Sequence, residues 1–268
     1  MTKLLKYALI LVLAVFIAFP LLYAFSASFF SPVDFTDKIA HFLPSKPAWD
    51  NYLIAMGNKW YPRYILNSLI TAGLTCLLRL AVTVLAAFAF THLRFKGKGA
   101  LLTLLLSTMF VPSEALLYEN YLTIAKLGLM NTYLAIIFPS IFSAATLVLL
   151  TGFYRGLDKD LYDAAKVDGA GDLRYITLIL LPLTASVTLT LGLQAFLTAF
   201  NSYLWPLLVT SKAKMRTVQV GISMLGFAEN AQYGAQYAAI VLITLPFLAL
   251  LGLGKGAIDR TVSKDLYK

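Results

Sequence analysis

The chain has 268 residues, of which 59% are hydrophobic and 13% are charged, whereas a typical soluble domain is about 45–50% apolar and about 25% charged. This balance argues against a soluble globular protein and indicates a chain that lies largely in lipid. The net charge of +9 does not indicate a nucleic-acid partner, because the basic residues stand in short groups between apolar stretches and do not cluster on one solvated face.

Six apolar stretches are long enough to cross a bilayer, which needs about 20 residues per helix. They cover residues 7–30, 65–91, 100–118, 132–153, 183–209 and 237–253. The first stretch is longer than the apolar region of a cleaved secretory signal, which has about 7–15 residues, so we interpret it as a retained span. The polar segment 31–63 that follows contains Trp49 and Trp60, which are suited to the membrane interface, and we interpret it as an ordered external loop.

The distribution of basic residues predicts the orientation. Six spans place both termini on one side of the membrane, and that side then holds thirteen basic residues against eight on the other. Cytoplasmic segments of membrane proteins are enriched in Lys and Arg. We therefore predict an all-α membrane protein with six transmembrane helices and both termini in the cytoplasm.

The connection over residues 155–181 is too polar for lipid and longer than a turn requires. Asp158 or Asp160 can cap the start of a short helix there, and Gly169 can end it in the left-handed conformation. The residues expected on its apolar face are Leu157, Leu161 and either Ala164 or Ala165. By composition alone, a helix resting on lipid headgroups is an alternative interpretation.

The order of residues in this loop is more specific than its composition. It reads Asp163-Ala164-Ala165, three residues, Gly169, nine residues, and Ile179-Leu180-Leu181-Pro182. This spacing resembles the EAA motif of binding-protein-dependent ABC importer permeases, whose pattern is EAA, three residues, G, nine residues and IxLP. The one departure is Asp163 in place of the usual Glu, which shortens the side chain by one methylene.

Other stretches resemble the maltose-type, carbohydrate-importing branch of that family. They are Asn67-Ser68-Leu69, Ala87-Phe88-Ala89-Phe90, Leu127-Gly128-Leu129-Met130-Asn131-Thr132 and Phe200-Asn201-Ser202-Tyr203-Leu204-Trp205-Pro206-Leu207. The resemblance implies three regions: a first helix and external loop (1–64), an ABC type-1 permease domain (65–256) with the coupling loop at 155–181, and a cytoplasmic tail (257–268). The tail departs from the pattern of relatives.

The resemblance also implies partners. In this family two permease subunits form the pathway, often as a heterodimer, an ATPase dimer binds beneath them, and an extracytoplasmic binding protein delivers the solute. The location is a bacterial or archaeal cytoplasmic membrane, with the chain crossing it several times. The residues implied to contact the ATPase are Asp163, Ala164, Ala165, Asp168, Gly169 and Pro182. The chain contains no GxxxxGK[ST] sequence, so we expect ATP and magnesium in the partner ATPase and no cofactor on this chain.

Two polar features lie inside the predicted spans. Thr190, Gln194, Thr198 and Asn201 are spaced four, four and three residues apart, which places them on one helical face. That face either lines a pathway for a hydroxyl-rich solute or bonds to neighbouring helices.

Arg79 lies near the middle of the second stretch, where a charge costs at least about 2.5 kcal/mol unless it is paired or hydrated. We expect it to face the bundle interior. One hypothesis pairs it with an acidic group of the protein, such as Glu114, or of an anionic solute, and the alternative is snorkelling or contact with water.

Several functions remain open at this stage. Permeases for amino acids, peptides or phosphate esters share the coupling loop, so the loop alone does not identify the solute. An ion-gradient-driven secondary transporter can also have six spans and a polar stripe, although neither an inverted repeat nor a broken midplane helix is evident in the sequence. No catalytic or metal site is expected, because the chain has one cysteine, Cys76, two histidines, His41 and His92, and no paired carboxylates in its apolar stretches.

Overall fold

The structure is a computed structural model that describes residues 3–37, 39, 41–158, 160–226 and 232–246. All regular secondary structure in these residues is helical, which confirms the all-α class. The α-helices are α1 (Lys3–Ala27), α2 (Pro32–Thr36), α3 (Asp50–Gly57), α4 (Tyr61–His92), α5 (Lys98–Ser107), α6 (Leu117–Lys126), α7 (Tyr133–Ile137), α8 (Ala144–Arg155), α9 (Asp160–Val167), α10 (Asp172–Tyr175), α11 (Leu181–Leu183), α12 (Ala185–Phe200), α13 (Leu204–Val209), α14 (Val218–Gly226) and α15 (Tyr233–Pro246). Short 3-10 helices cover Thr108–Phe110, Ser113–Leu116, Phe138–Ser140 and Ala213–Met215, and a π-helix covers Ile176–Leu180.

Helices α1 and α4 are each long and apolar enough to cross a membrane alone. Three bent pairs pass the same test together: Lys98–Phe110 with Ser113–Lys126, Tyr133–Ser140 with Ala144–Arg155, and Asp172–Leu183 with Ala185–Phe200. The described residues therefore hold up to five candidate spans of this kind, and α15 is a shorter apolar helix. The six-span count and the side of the termini stay predictions. Residues 247–253 of the sixth predicted stretch and the tail 257–268 lie outside the described residues.

The breaks within the middle spans differ from the continuous stretches that hydropathy predicts. The helix that begins at Lys98 ends at Phe110, and the chain turns by 96° before the next helix. Val111 is extended, with φ −91° and ψ 116°, because the following Pro112 disfavours a helical conformation in the residue before it. After the second break, Ser143 is the N-cap of α8, and its hydroxyl accepts a hydrogen bond from the Thr146 N–H at 3.4 Å.

The chain divides into two compact units, of which one comprises residues 1–62 and 220–268. Within it, the buried amide of Asn51 donates to the carbonyls of Ser28 and Phe30, both at 2.9 Å. The Tyr61 hydroxyl donates to the Ala239 carbonyl at 2.8 Å. Hydrogen bonds thus hold the segment after α1 to other parts of the same unit. Its placement outside the membrane stays a prediction.

The other unit comprises residues 63–219, and its main core joins α4, α8 and α12 to the predicted coupling loop. The buried members of this core are Val84, Ala87, Phe88, Phe90, Leu147, Leu150, Tyr154, Ala165, Tyr175, Ile176, Leu180 and Leu191. Because Ala165 and Tyr175 belong to the loop, the loop packs against the spans and does not extend freely from them.

Buried polar contacts hold another part of this unit. The Asn67 side chain is fully buried, and its amide donates to the carbonyls of Lys214 and Arg216 at 3.0 and 2.9 Å. The Tyr133 hydroxyl donates to the Asn67 amide oxygen at 2.8 Å. Buried polar groups require such partners, so the role that the structure gives to Asn67 is to join separate segments of the unit.

The stretch 127–132 connects α6 to α7. Gly128 and Asn131 have φ of 68° and 60°, a conformation that glycine and asparagine adopt more readily than other residues. The Thr132 hydroxyl then accepts from the Ala135 N–H at 3.2 Å and starts α7. The indole N–H of Trp205 donates to the Ala135 carbonyl at 3.0 Å, so the stretch 200–207 contacts the helix that follows the stretch 127–132.

Candidate coupling site and pathway face

Helix α9 begins and ends with local hydrogen bonds that its sequence supplies. The Asp158 carboxylate accepts from the Asp160 N–H at 3.0 Å, so Asp158 caps the start. At the other end Gly169 has a φ of 79°. The Gly169 N–H donates to the Lys166 carbonyl at 3.0 Å, and the Ala170 N–H donates to the Ala165 carbonyl at 2.9 Å. This pair of bonds is a Schellman motif, which confirms the predicted glycine C-cap.

The two alanines of the motif face in different directions. Ala165 is 6% exposed and belongs to the core, whereas Ala164 is exposed. The side chain of Val167 is 89% exposed, which is unusual for so large an apolar group. The motif therefore provides one residue that packs inward and an outward surface of short or apolar side chains.

The inward face of α9 differs from the prediction at one position. Leu157, Tyr162 and Ala165 pack against the core, but Leu161 is 40% exposed, so its predicted place on that face was wrong. Aromatic contacts account for the difference, because Tyr162 is a larger group than Leu161 and finds ring partners in the core.

Tyr162 belongs to an aromatic cluster that the sequence did not reveal. Its ring centroid lies 5.7 Å from that of Phe88, 5.1 Å from His92 and 5.0 Å from Tyr175, each in edge-to-face geometry. Phe88 and His92 stack on each other at 5.0 Å, one helical turn apart on α4. Helix α9 is thereby packed onto the end of α4, so a movement of α9 must carry that end with it or break the cluster.

A polar clamp holds α9 to α10. The Tyr162 hydroxyl donates to the Asp172 carboxylate at 2.9 Å, and the Lys166 ammonium donates to the same oxygen. The hydrogen bond from Lys166 lowers the pKa of the Asp172 carboxyl, and the Tyr162 hydroxyl lowers it further. The bond to Asp172 raises the pKa of Lys166.

These shifts predict how the clamp depends on pH. A carboxyl whose pKa is lowered by folding stabilises the fold at pH values above its ordinary pKa of about 3.9. This contribution is lost as the pH falls through the folded-state pKa. The raised Lys166 pKa adds stability that is lost only above about pH 10.4. We expect hydrogen exchange in α9 to stay constant between about pH 5 and 9 once it is corrected for the intrinsic exchange rate. Asp172→Asn should accelerate exchange there, and Asp168→Asn, outside the clamp, should not.

The other motif residues lie at the surface. Asp163, Asp168 and Pro182 are exposed. Pro182 stands in the first turn of α11, before the 88° bend that precedes α12. The bend is centred at Thr184, with φ −108° and ψ 16°, so α12 itself begins after Thr184 and not at Pro182.

The four predicted pathway residues, Thr190, Gln194, Thr198 and Asn201, are all exposed on this chain. The opposite face of α12 packs on α4 through Gly192, where an added Cβ would lie 2.8 Å from the Leu80 side chain. The Thr190 hydroxyl donates to the Ser186 carbonyl at 2.8 Å, and Asn201 accepts from Gln219 at 3.2 Å.

A stripe of exposed leucines, Leu189, Leu193 and Leu197, lies beside the polar one. The outward surface of α12 is therefore half polar and half apolar, and its role in the pathway stays a prediction.

Arg79 is half-buried, and its Nε donates to the carbonyl of Ser140 at 2.8 Å. Ser140 ends the helical segment before the break that precedes α8, where backbone carbonyls lose their helical donors. Glu114 instead accepts from Ser113. The structure thus gives Arg79 a carbonyl partner, and a pairing with an acidic group of another subunit or of a solute stays a prediction.

We expect Arg79→Gln to destabilise the chain by about 1 kcal/mol, because the Ser140 carbonyl loses its donor. Thermal unfolding of the purified protein measures this loss. If the guanidinium serves only this carbonyl, transport per assembled complex should be unchanged. A fall in transport without a fall in assembly would show instead that the charge contacts solute or a partner. Arg79→Lys, which keeps both a donor and the charge, is the control.

Comparison with known proteins decides the family. The family described as the inner membrane component of binding-protein-dependent transport systems matches residues 7–264. This chain belongs to that family. The predicted resemblance to ABC importer permeases of the maltose-type branch is therefore confirmed, and the chain is a multi-pass transport subunit of the cytoplasmic membrane.

Individual relatives agree over most of their length. The trehalose/maltose transport system permease protein MalG of Thermococcus litoralis is 31% identical over 245 residues, which cover 90% of this chain and 87% of the relative. The sn-glycerol-3-phosphate transport system permease protein UgpE of Yersinia pestis is 30% identical over 238 residues, covering 86% of this chain and 85% of the relative. UgpE of Agrobacterium fabrum is 30% identical over 243 residues, covering 88% and 86%.

A solved structure shows the same fold. The crystal structure of a bacterial ABC transporter involved in the import of the acidic polysaccharide alginate superposes with a TM-score of 0.79. The superposition covers 94% of this chain and 95% of that chain at 19% sequence identity. This chain therefore shares its fold with a chain of that ABC transporter.

Proposed function

We propose that this chain forms half of the translocation pathway for a sugar or a sugar-like solute. A second permease subunit supplies the other half, an ATPase dimer binds ATP and magnesium and hydrolyses the ATP, and an extracytoplasmic binding protein delivers the solute. Helix α9 transmits closure of the ATPase dimer to the spans. The chain itself holds no cofactor and carries out no chemical step.

The geometry of α9 is the observation that carries the proposal. Its outward surface includes Asp163, Ala164 and Val167, all exposed, and it ends at a glycine with a fixed left-handed turn. Its inward surface packs on α4 through Ala165 and Tyr162. A surface of small and apolar side chains fits a cleft on another protein, and the packed inward side provides a stiff connection to the spans.

The solute class rests on the named relatives and on the polar stripe of α12. The relatives named above are permeases for trehalose or maltose and for sn-glycerol-3-phosphate. The polar stripe of Thr190, Gln194, Thr198 and Asn201 offers hydroxyl and amide groups that suit the hydroxyls of a carbohydrate. A phosphate ester is the second candidate, since one group of relatives is named for such a solute and Arg79 places a cation within the spans.

Uptake assays separate these candidates. Cells that lack the chain are complemented with the wild type and with Gln194→Leu, and uptake of labelled neutral sugars and of sugar phosphates is compared. The carbohydrate proposal is supported if the wild type restores uptake of neutral sugars and Gln194→Leu restores less of it. A gain restricted to sugar phosphates favours the second candidate, and uptake that persists with a nonhydrolysing ATPase but needs an ion gradient contradicts both.

A further inference from the structure

A cavity of about 680 Å³ opens beside the coupling helix, at the level where α4 and α8 end and the polar loops begin. Phe90, Leu93 and Leu157 form an apolar part of its wall, and Tyr154 and Tyr162 form an aromatic part. All of these residues belong to the unit of residues 63–219. None of the residues that line the cavity belongs to the polar stripe of α12. The proposed transport pathway therefore does not identify what the cavity binds.

The charged residues of the cavity are mostly basic. Arg94, Lys98 and Arg155 line it, and Asp163 is the acidic residue among the lining side chains. Among the described residues, none of the three cations takes part in an ion pair; the pairs there are His41 with Asp37 and Lys166 with Asp172. Three cations facing one carboxylate leave an excess of positive charge in a concave site, where the field is concentrated.

The positions of these cations are set by the fold. The Lys98 ammonium donates to the carbonyl of Leu93 at 2.8 Å, which holds it at the cavity wall. Gly97 has a φ of 77° and makes the tight turn that brings Lys98 back next to the end of α4. Arg155 is the last residue of α8. Two helix ends and one tight turn therefore present the three cations to the same space.

We propose that this cavity binds a phosphate group. Guanidinium groups bind phosphate oxygens through paired N–H donors, and a lysine adds a compact charge. Basic pockets between transmembrane helices at the cytoplasmic surface suit anionic lipid headgroups, and a free phosphate from the cytoplasm has the same chemistry. The site adjoins Tyr162 and Asp163 of the coupling loop, so an occupant would restrain α9. The cytoplasmic placement rests on the function proposed above.

The test uses the chain purified with its partner subunits and reconstituted in nanodiscs of phosphatidylcholine, with or without phosphatidylglycerol. Native mass spectrometry counts the phosphatidylglycerol that remains bound, and calorimetry measures binding of inorganic phosphate in phosphatidylcholine alone. The cavity variant is R94Q/R155Q. The matched control, K96Q/R174Q, removes two exposed charges from the same two connections, residues 93–97 and 155–181, but not from the residues that line the cavity. Neither readout depends on transport, so failure of this proposal is distinguishable from failure of the proposed function.

We expect R94Q/R155Q to weaken binding by about thirtyfold, since two basic residues near an anionic surface together contribute about 2 kcal/mol and each 1.4 kcal/mol is a factor of about ten, while K96Q/R174Q stays near the wild type. Loss of bound phosphatidylglycerol identifies a lipid headgroup, and loss of inorganic phosphate binding identifies a free phosphate. Equal binding by all three proteins overturns the proposal. So does release of the ATPase from R94Q/R155Q with phosphate and lipid binding unchanged, because the cavity would then belong to the ATPase interface. If the double variant unfolds, the single variants R94Q and R155Q are compared with K96Q and R174Q.

Discussion

Replacing Gly169 with valine should reduce transport by at least about tenfold, while the same change two residues later should have little effect. Gly169 has a φ of 79°, and a side chain with a Cβ in that conformation costs about 1–2 kcal/mol. Valine cannot relieve the strain without opening the Schellman bonds that end α9. The outward surface of the coupling helix would then lose its fixed direction, and the ATPase would lose its contact.

Gly171 is the matched control for this prediction. A Cβ built at either glycine meets no atom within 4 Å, so neither substitution creates a clash. Gly171 has a φ of −72°, which any residue adopts, and the two variants therefore differ in backbone strain. Gly169→Asn should retain more transport than Gly169→Val, because asparagine tolerates the left-handed conformation. Equal transport by Gly169→Val and Gly171→Val would contradict the role given to this turn.

The second large effect is expected at the adjacent alanines, which should respond differently to leucine. Ala165 is buried among the core residues of α4 and α8, and extra methylenes in a packed core cost about 1–3 kcal/mol. Ala165→Leu should therefore displace α9 from the spans and lower the melting temperature of the chain. Ala164 is exposed, so Ala164→Leu should leave the melting temperature unchanged.

Both alanine variants should transport poorly, but for different reasons. Ala164→Leu places bulk on the surface that we assign to the ATPase, so the folded chain should recover less ATPase on purification. Ala165→Leu should show faster hydrogen exchange at Tyr162 and Tyr175, because the aromatic cluster loses its packing. Melting temperature, ATPase recovery and exchange together separate the two. Normal ATPase recovery with Ala164→Leu would show that this residue lies outside the interface.

The features that the sequence predicted correctly are local ones. The helical class follows from long apolar stretches, and the two ends of α9 follow from Asp158 and Gly169, whose own backbone and neighbouring N–H groups form the caps. Spacing within the loop identified the family, because all of the motif lies within one short segment. Each of these signals acts between residues that are close in sequence.

The features that the sequence did not predict depend on contacts between distant segments. The rotation of α9 that partly buries Tyr162 and exposes Leu161 depends on Phe88 and His92, far earlier in the chain. Hydropathy did not show the 96° turn after Phe110, since both sides of it are apolar, although Pro112 marks the place. Likewise the sequence left either an acidic partner or contact with water open for Arg79, and the break before α8 supplies a carbonyl instead.

The central claim is that this chain works as one permease subunit coupled to a separate ATPase. Purification of the tagged full-length chain from its native membrane in a gentle detergent, with bound proteins identified by mass spectrometry, tests it most directly. We predict recovery of an ATPase and a second permease in fixed ratio to this chain. Repeated recovery of the intact chain alone would contradict the ATP-driven assignment and make ion-coupled transport the next hypothesis to examine.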